Sequence, residues 1–159
     1  MSIRSTAKAI ILHDGKILLN RCYDRHNGDY FTLPGGGQNQ YETLEDAVIR
    51  ECREETGYTV IPLRFAALCE EMCDDEEFRQ RRPEYAHKML HIFVCSLRDE
   101  TRAAPTETDD MQVECVWLDH DELPAVRLLP EALRASIVDL IHGDRPLFLG
   151  SAHIPFNHG

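Results

Sequence analysis

The sequence lacks the features that mark several classes of protein. Its apolar runs are short, as at residues 9–12, and none approaches the roughly 20 residues that cross a bilayer. No apolar segment typical of a signal peptide begins the chain. Basic residues are scarce, since 17 Lys and Arg face 28 Asp and Glu and the formal net charge is −11. Because nucleic-acid affinity depends largely on Lys and Arg at phosphates, we expect no nucleic acid as partner. The short apolar runs and the missing signal segment predict a cytoplasmic protein with no membrane partner.

The cysteines follow neither a disulfide framework nor a complete zinc motif. They are scattered along the chain, and most lie in apolar segments. Cys69 and Cys73 could form half of a zinc site, but no CxxC pair accompanies them. We interpret the cysteines as buried, reduced thiols. The six are Cys22, Cys52, Cys69, Cys73, Cys95 and Cys115.

A length of 159 residues favours one domain with a core that needs no disulfides. Strands are predicted at residues 5–12, 16–23, 30–33, 58–67, 89–97 and 112–118, helices at 43–57 and 129–141, and loops at 70–84 and 98–108. Strands on both sides of a central helix indicate an α/β protein of the α+β type.

The end of the sequence has no clear periodicity. Residues 1–143 are assigned to the domain, and residues 144–159 form a tail that is too apolar for a free linker. We expect the tail to dock on the domain or on a second subunit. Because it contains no catalytic motif, we expect it to be dispensable for chemistry.

Three carboxylates prolong the apolar face of the first predicted helix. On a wheel of about 100° per residue, Glu51, Glu54 and Glu55 lie on the side of Ala47 and Val48. Partly buried carboxylates are costly unless they are protonated, paired or bound to metal. A solvated acidic helix end is the alternative interpretation. If the three bind a metal, their oxygen ligands favour Mg²⁺ (or Mn²⁺) over zinc.

The spacing of residues around these carboxylates is a more specific signal than their positions on the helical wheel. Five residues separate Gly36 from Glu42, and seven more precede the run Arg-Glu-Cys-Arg-Glu-Glu-Thr-Gly-Tyr at residues 50–58. Residues 36–58 therefore resemble the Nudix box of the Nudix hydrolase superfamily at every fixed position. Only Cys52 and Tyr58 depart from the usual pattern, since an aliphatic residue is more common at both positions. The resemblance covers roughly residues 4–142.

The resemblance implies a fold, a reaction and a cofactor. The family fold is an α/β/α sandwich around a mixed β-sheet, and its members usually hydrolyse a nucleoside diphosphate linked to another group, X. The implied metal ligands are Glu51, Glu54, Glu55 and the backbone carbonyl of Gly35. The implied cofactor is Mg²⁺ (or Mn²⁺), without which an acidic pocket would repel a diphosphate.

The mechanism implied by the resemblance is attack of a metal-bound water on phosphorus while a carboxylate accepts its proton. Glu54 is the favoured base, Glu51 and Arg50 are the other predicted catalytic residues of the box, and Glu42 matches a structural or base-assisting position. In some relatives the base lies on a later loop instead, and Asp110 is included in the predicted site for that reason. The acids available on that loop are Asp109, Asp110 and Glu114.

Substrate contacts are predicted at the start of the box. Gly36 and Gly37 allow the backbone to approach a phosphate closely. Arg21 ends the second predicted strand and could contact a phosphate, although a surface position is equally consistent with the sequence. Solvated or packed positions are expected for Arg79, Arg81, Arg82, His87 and His91.

Two other functions are compatible with a Nudix-like chain. One is a module that senses a nucleotide or ADP-ribose without turnover, and the other is isomerisation of an isoprenoid diphosphate. Sensor modules commonly lose box glutamates, whereas this box is intact, and the extra elements of an isomerase are not evident. A hydrolase is therefore favoured, with a small nucleoside diphosphate derivative as substrate and a homodimer as the expected assembly. The group X and the nucleobase are left open.

Overall fold

A computed structural model describes residues 2–108 and 110–158, so the candidate base Asp109 lies outside the described residues. Within these ranges the strands are β1 Arg4–His13, β2 Lys16–Asp24, β3 Gly28–Thr32, β4 Gly35–Gly37, β5 Tyr58–Cys73, β6 His87–Arg102, β7 Gln112–Asp119 and β8 Leu147–Ile154. The α-helices are α1 Leu44–Thr56, α2 Glu76–Arg81, α3 Pro83–Ala86 and α4 Glu131–His142, and a 3-10 helix spans His120–Ala125.

The described strands form one mixed sheet in the order β3-β2-β1-β6-β5-β8. β1 with β6 and β5 with β8 are parallel pairs, whereas β1 with β2, β2 with β3 and β5 with β6 are antiparallel. The short β4 pairs with β1, and β7 pairs with β2, outside this path. The predicted α+β class with a mixed sheet is confirmed.

Helices cover both faces of the sheet, as the predicted sandwich requires. On one face, Ala47, Val48 and Cys52 of α1 pack in a cluster with Ala9 and Ile11 of β1. On the other face, α4 and the 3-10 helix pack against the opposite side chains of the same strands. That second cluster includes Ile10, Leu19, Ile92, Leu123, Leu133, Ile137 and Leu140. Alternate residues of β1 therefore serve two different cores.

The box helix begins and ends where the sequence predicts. Thr43 is its N-cap, and the hydroxyl oxygen accepts a hydrogen bond from the Asp46 N–H at 3.0 Å. Gly57 ends it in the left-handed region at φ 79°, and its N–H donates to the Arg53 carbonyl. A side chain at Gly57 would also collide with the backbone of Ala103. These two caps define where α1 begins and ends, and so position the box carboxylates along the sheet.

Two predicted loops are wrong. The segment 70–84 instead completes β5 and forms α2 and α3, and the segment 98–108 begins with the last five residues of β6. In β5, the alternating buried positions include Glu71, which is only 2% exposed. A carboxylate at a core position hides the strand pattern, because periodicity arguments count it as polar. In α2, Asp75 accepts a hydrogen bond from the Glu77 N–H, an N-cap typical of a helix start.

The C-terminal segment contributes to the sheet. β8 pairs in parallel with β5 and lies at the sheet edge. Leu147 and Phe148 are exposed in β8, so its apolar residues do not alternate cleanly and the sequence gives no strand signal. The segment is thus packed on the domain itself.

Two further expectations concern the whole chain. All six cysteines are free, and each except Cys115 is buried, as thiols in apolar segments are expected to be. No helix in the described part of the chain is long and apolar enough to cross a membrane.

Candidate active site

A cavity of about 380 Å³ lies where α1, β4 and the first half of β1 meet. Its volume is within the range of small-molecule sites, roughly 300–1,000 Å³. Five residues of the box region line it: Gly35, Gly36, Gly37, Glu51 and Glu55. Two of the three predicted metal-binding glutamates and both predicted substrate glycines therefore face one space.

Glu51 lies directly against the glycine that begins the box. A Cβ atom added to Gly36 would come within 2.6 Å of the Oε2 of Glu51. The absence of a side chain at position 36 therefore leaves room for this carboxylate. This contact gives the box spacing a physical reason, since the Glu51 carboxylate fills the space that a side chain at position 36 would need.

Glu55 is buried and held in a fixed orientation. It is 7% exposed, and its Oε2 accepts hydrogen bonds from the Gly35 N–H at 2.9 Å and from the Asn20 amide at 3.1 Å. Asn20 is itself buried in β2. Sequence reasoning missed Asn20, although a polar residue directly after Ile17-Leu18-Leu19 on a buried strand was a usable signal.

Arg50 connects the acids of the box. Its guanidinium donates to both carboxylate oxygens of Glu42 at 2.7 and 2.9 Å, to Glu51 at 2.8 Å and to Glu54 at 3.2 Å. It also donates to the carbonyl of Gly37. The bidentate bond with Arg50 lowers the pKa of Glu42 to about 2, and the same contacts raise the pKa of Arg50. The expected pairing of Arg50 with box carboxylates is present.

Glu54 lies beside the cavity, but it is not among the residues that line it. Burial and the charge of Glu51 raise its pKa above the usual value. Its backbone carbonyl accepts hydrogen bonds from the N–H groups of Thr106 and Glu107. The last turn of α1 is therefore joined to the segment that precedes β7.

The arrangement fits a divalent cation at Glu51, Glu54 and Glu55. The donors are carboxylate oxygens, as Mg²⁺ and Mn²⁺ prefer; Glu55 is buried, and the side chains of Glu51 and Glu54 are 17% and 25% exposed. The carbonyl of Gly35 accepts a hydrogen bond from the Nζ of Lys8 at 2.9 Å. A carbonyl oxygen has a second lone pair, so Gly35 stays a proposed ligand beside the glutamates.

Among the described residues, another group brings three metal-ligating side chains close together, and the three box glutamates do not meet the same distance. His13, Asp14 and Glu100 bring one ligand atom each within 4.8 Å of one another. This group lies at the far end of β1 from the cavity, and both acids are exposed. Exposed acids of this kind are common without metal, so the cluster supports no site.

The candidates on the later loop have separate positions. Asp110 lines the cavity together with Glu51 and Glu55. Glu114 instead forms an exposed ion pair with Arg21 at 3.0 Å. The structure does not bring Arg21 to the cavity, because β2 and β7 hold it against Glu114 on the surface. This is the surface position that the sequence also allowed.

Several cavity residues were missed from the sequence. They include Arg4, Lys8, Tyr85, Lys88, Glu107 and His158. A signal for the first two was available, since Arg4, Thr6 and Lys8 alternate with the apolar face of β1. Tyr85 and His158 gave no such signal, because they come from a short helix and from the C-terminal segment.

The remaining basic residues were interpreted as solvated or packed, and one of them belongs to the site. Arg79 and Arg81 form exposed pairs with Asp74 and Glu77. Arg82 also lines the cavity, but its side chain is 54% exposed beside Glu84, as a solvated position requires. The two histidines are packed, His87 with Glu70 and His91 with the backbone carbonyl of Thr6.

The comparisons with known proteins agree with this geometry. A family model described as NUDIX domain matches residues 3–140. The chain therefore belongs to the NUDIX domain family, and the predicted membership is confirmed. The prediction of a Nudix-type diphosphate hydrolase agrees with this family.

The relatives differ from one another in length and in the activity for which they are named. The chain is 29% identical over 117 residues to NAD-capped RNA hydrolase NudC of Photorhabdus laumondii, and the match covers 73% of the chain. It spans only 39% of that relative. A MutT protein of Bacillus halodurans has a similar structure, with a TM-score of 0.70, 20% identity and coverage of 96% of this chain and 91% of the other. An ADP-ribose pyrophosphatase of Streptococcus suis matches with a TM-score of 0.61, 19% identity and coverage of 95% and 100%.

Proposed function

We propose that the protein is a metal-dependent hydrolase that cleaves a phosphoanhydride bond in a nucleoside diphosphate linked to another group. The observation that carries this proposal is the convergence of Glu51 and Glu55 on one cavity, with Glu54 beside them and Arg50 holding the carboxylates in place. Membership of the NUDIX domain family supports it.

The residues of the box can divide the work of hydrolysis. A bound Mg²⁺ or Mn²⁺ would supply charge neutralisation of the diphosphate and a water of lowered pKa. Glu51, Glu54 and Glu55 would hold that ion. The backbone at Gly36 and Gly37 lines the cavity without side chains, so a phosphate can approach closely. Glu54 is the proposed base, and Asp110, which faces the same cavity, is the alternative.

The names of the relatives support the substrate class and leave the group X open. Similar proteins are named for NAD-capped RNA, for ADP-ribose and for UDP-X, all of which contain a diphosphate joined to a nucleoside. A small molecule of this type fits a cavity of about 380 Å³.

A panel of nucleotides tests the proposal. Nucleoside triphosphates, nucleotide sugars, ADP-ribose and NAD would be incubated with Mg²⁺ or Mn²⁺, and the products separated chromatographically. We expect cleavage of at least one compound, and EDTA should abolish it, because the glutamates alone would repel a diphosphate. Full turnover in metal-free buffer would contradict the proposal. Binding without turnover of any compound would favour the sensor instead.

A homodimer is proposed only from the resemblance to the family. Leu63 of β5 is 61% exposed and Phe148 of β8 is 66% exposed. Phe148 lies opposite Leu68 in the β5–β8 register, so these two side chains do not by themselves define an interface. Sedimentation velocity on the full chain tests this, and a monomer at all concentrations would exclude it.

A further inference from the structure

A buried amide contacts one of the proposed metal ligands. Asn20 of β2 is 4% exposed, and it is not among the described residues that line the cavity. Its Nδ2 donates to the Oε2 of Glu55 at 3.1 Å, and the Gly35 N–H donates to the same oxygen at 2.9 Å. Two donors on one oxygen restrict how the carboxylate can rotate. Asn20 therefore affects the site through Glu55.

The strand register places a thiol beside the other end of this amide. Cys115 of β7 is the direct partner of Asn20 in the β2–β7 pairing, so their side chains share one face of the sheet. The Cys115 thiol donates to the Asn20 Oδ1, with sulfur and oxygen 3.3 Å apart. Burial raises the pKa of this thiol, so it keeps its proton near neutral pH. Asn20 is thus hydrogen-bonded at both ends of its amide.

These two neighbours favour one orientation of the amide. A charged carboxylate accepts hydrogen bonds and donates none, so the amide NH₂ group faces Glu55. The protonated thiol offers its S–H to the remaining amide atom, the Oδ1. Turning the amide over would place Oδ1 against the Glu55 carboxylate, and two oxygens with no proton between them repel each other. The Cys115 thiol therefore selects the orientation in which Asn20 can bind Glu55.

The same part of β7 also contacts the backbone of Glu55. The Gln112 Nε2 donates to the Cys115 sulfur at 3.2 Å and to the Glu55 carbonyl at 3.5 Å. The Cys115 sulfur lies 3.7 Å from the oxygen of that carbonyl. The main chain of Glu55 is therefore in contact with β7 directly, and its side chain is connected to β7 through Asn20. A change at Cys115 is expected to reach the Glu55 carboxylate by this second route.

We propose that Asn20 is a positioning residue for the divalent cation, and that Cys115 determines the orientation of its amide. This inference rests on the proposed function, because Glu55 is one of the metal ligands proposed there. A carboxylate that is already held in place loses less free energy in ordering when the cation binds. Groups that hold metal ligands in this way commonly contribute about 10–100-fold to metal affinity or activity.

The affinity for Mn²⁺, measured without substrate, tests the role of Asn20. Titrations of Mn²⁺ followed by electron paramagnetic resonance give the Kd of the wild type and of each variant in buffer without nucleotide. We expect Asn20→Ala to bind Mn²⁺ about 10–100-fold more weakly. Thermal midpoints in EDTA identify any variant that does not fold.

Variants of the thiol test the orientation of the amide. Cys115→Ala should weaken Mn²⁺ binding by about threefold to tenfold, as the loss of one hydrogen bond would give. Cys115→Ser keeps a hydrogen-bond donor and should retain most of the wild-type affinity. Cys115 is only partly buried, so both variants are expected to fold even if Asn20→Ala does not.

A double variant shows whether the thiol acts through the amide. If it does, Asn20→Ala combined with Cys115→Ala should bind Mn²⁺ no more weakly than Asn20→Ala alone, because effects within one network are not additive. Cys22→Ala is the matched control, since it removes a buried thiol from the same strand as Asn20. The Cys22 sulfur contacts the backbone carbonyl of Asn20 and the hydroxyl of Thr32. We expect this control to keep the wild-type affinity for Mn²⁺.

The outcomes separate this proposal from the proposed function. Wild-type affinity in a folded Asn20→Ala, an equal loss in Cys22→Ala, or no measurable binding of Mn²⁺ by the wild type would overturn the positioning role. If Asn20→Ala does not fold, wild-type affinity in Cys115→Ala overturns it instead. Losses that multiply in the double variant, or a Cys115→Ser as weak as Cys115→Ala, would overturn the part assigned to Cys115. Weaker binding in Asn20→Ala, with no hydrolysis of the nucleotide panel by the wild type, would support the positioning role and contradict only the hydrolase.

Discussion

At the scale of single residues, the box works through one guanidinium. Arg50 bonds Glu42, Glu51 and Glu54 at once, so each carboxylate position depends on the other two. Arginine suits this role because its planar fork presents donors in several fixed directions. Without Arg50, three partly buried carboxylates would repel one another in the absence of metal.

Glu54→Gln tests the catalytic role of one of these carboxylates. The substitution keeps the size of the side chain but removes a charge that holds metal and accepts a proton. We expect kcat to fall by about 10²–10⁴-fold, the range for losing general-base catalysis. Stability without metal should be unchanged or higher, because burial and the charge of Glu51 already raise the pKa of Glu54. Turnover and thermal midpoint, measured with and without Mg²⁺, provide the two readouts.

The exposed Glu45 at the start of the same helix provides the control, and Glu45→Gln should change neither quantity much. A near-wild-type rate for Glu54→Gln at saturating metal would remove Glu54 as the base. Asp110→Asn would then be the variant expected to lose turnover, since Asp110 lines the same cavity.

At the scale of elements, the sequence predicts the box helix and the strands around it well. Thr43 and Gly57 are strong local signals for the ends of α1, and the Asp14-Gly15 pair lies between β1 and β2 as a hairpin requires. The elements that failed have weak local signals. Glu71 interrupts the apparent pattern of β5, and the exposed apolar residues of β8 give it no alternation.

The residues of the candidate site also fall into a group that the sequence predicts and a group that it does not. Its acidic half comes from one contiguous motif, so residue spacing alone is enough to predict Glu51, Glu54 and Glu55. Its basic side chains, such as Arg4 and Lys88, come from β1, β6 and the end of α2, which lie up to about 80 residues apart in the sequence. Only the pairing of β1 with β6 brings Arg4 and Lys88 together, and a parallel register of this kind leaves no trace in local periodicity.

The link between Glu42 and Arg50 joins the loop after β4 to α1 and predicts a dependence on pH. The folded-state pKa of Glu42 is about 2, below its usual value of 4.5. The stability it contributes is therefore complete above about pH 4.5 and is lost as the pH falls toward 2. Glu42→Gln should be less stable at pH 7 by about 1.5–3 kcal/mol, the range for hydrogen bonds to charged groups.

Urea denaturation of the wild type and Glu42→Gln at pH 7 and pH 3 measures this difference. We expect the gap in unfolding free energy to be smaller at pH 3, since the unfolded wild type then binds a proton at Glu42 that the folded state still excludes. A gap of equal size at both pH values would show that the variant acts through packing instead of charge.

At the scale of the whole molecule, the C-terminal segment ties three parts of the fold together. At the end of β8, the Ile154 carbonyl accepts from the Asp74 N–H, and the Asn157 carbonyl beyond it accepts from the side chain of Asn27. The His158 carbonyl then accepts from Lys88 at the cavity. Asn157 and His158 also line the cavity, and the dispensability of this segment for chemistry stays a prediction. These two residues reach the cavity only because β8, which precedes them, pairs with β5.

His158→Ala tests this tie through the buried carboxylate of Glu71. The two side chains are 2.9 Å apart, and both are nearly inaccessible to solvent. Burial alone would raise the pKa of Glu71, but the hydrogen bond and charge of His158 lower it. Removing His158 should therefore raise that pKa and destabilise the protein at pH 7 by at least about 1–3 kcal/mol, the cost of an unsatisfied buried acceptor. Because Glu71 can then protonate, the deficit should shrink as the pH falls.

Denaturation of matched variants separates this effect from simple loss of packing. His153→Ala is the control, since His153 is 63% exposed and its pair with Asp74 should contribute less than about 1 kcal/mol. Adding Glu71→Gln to His158→Ala should recover part of the lost stability, because the buried charge is then absent. If the double variant is no more stable than His158→Ala at pH 7, the C-terminal segment is held by its strand pairing with β5, and the Glu71–His158 contact contributes little.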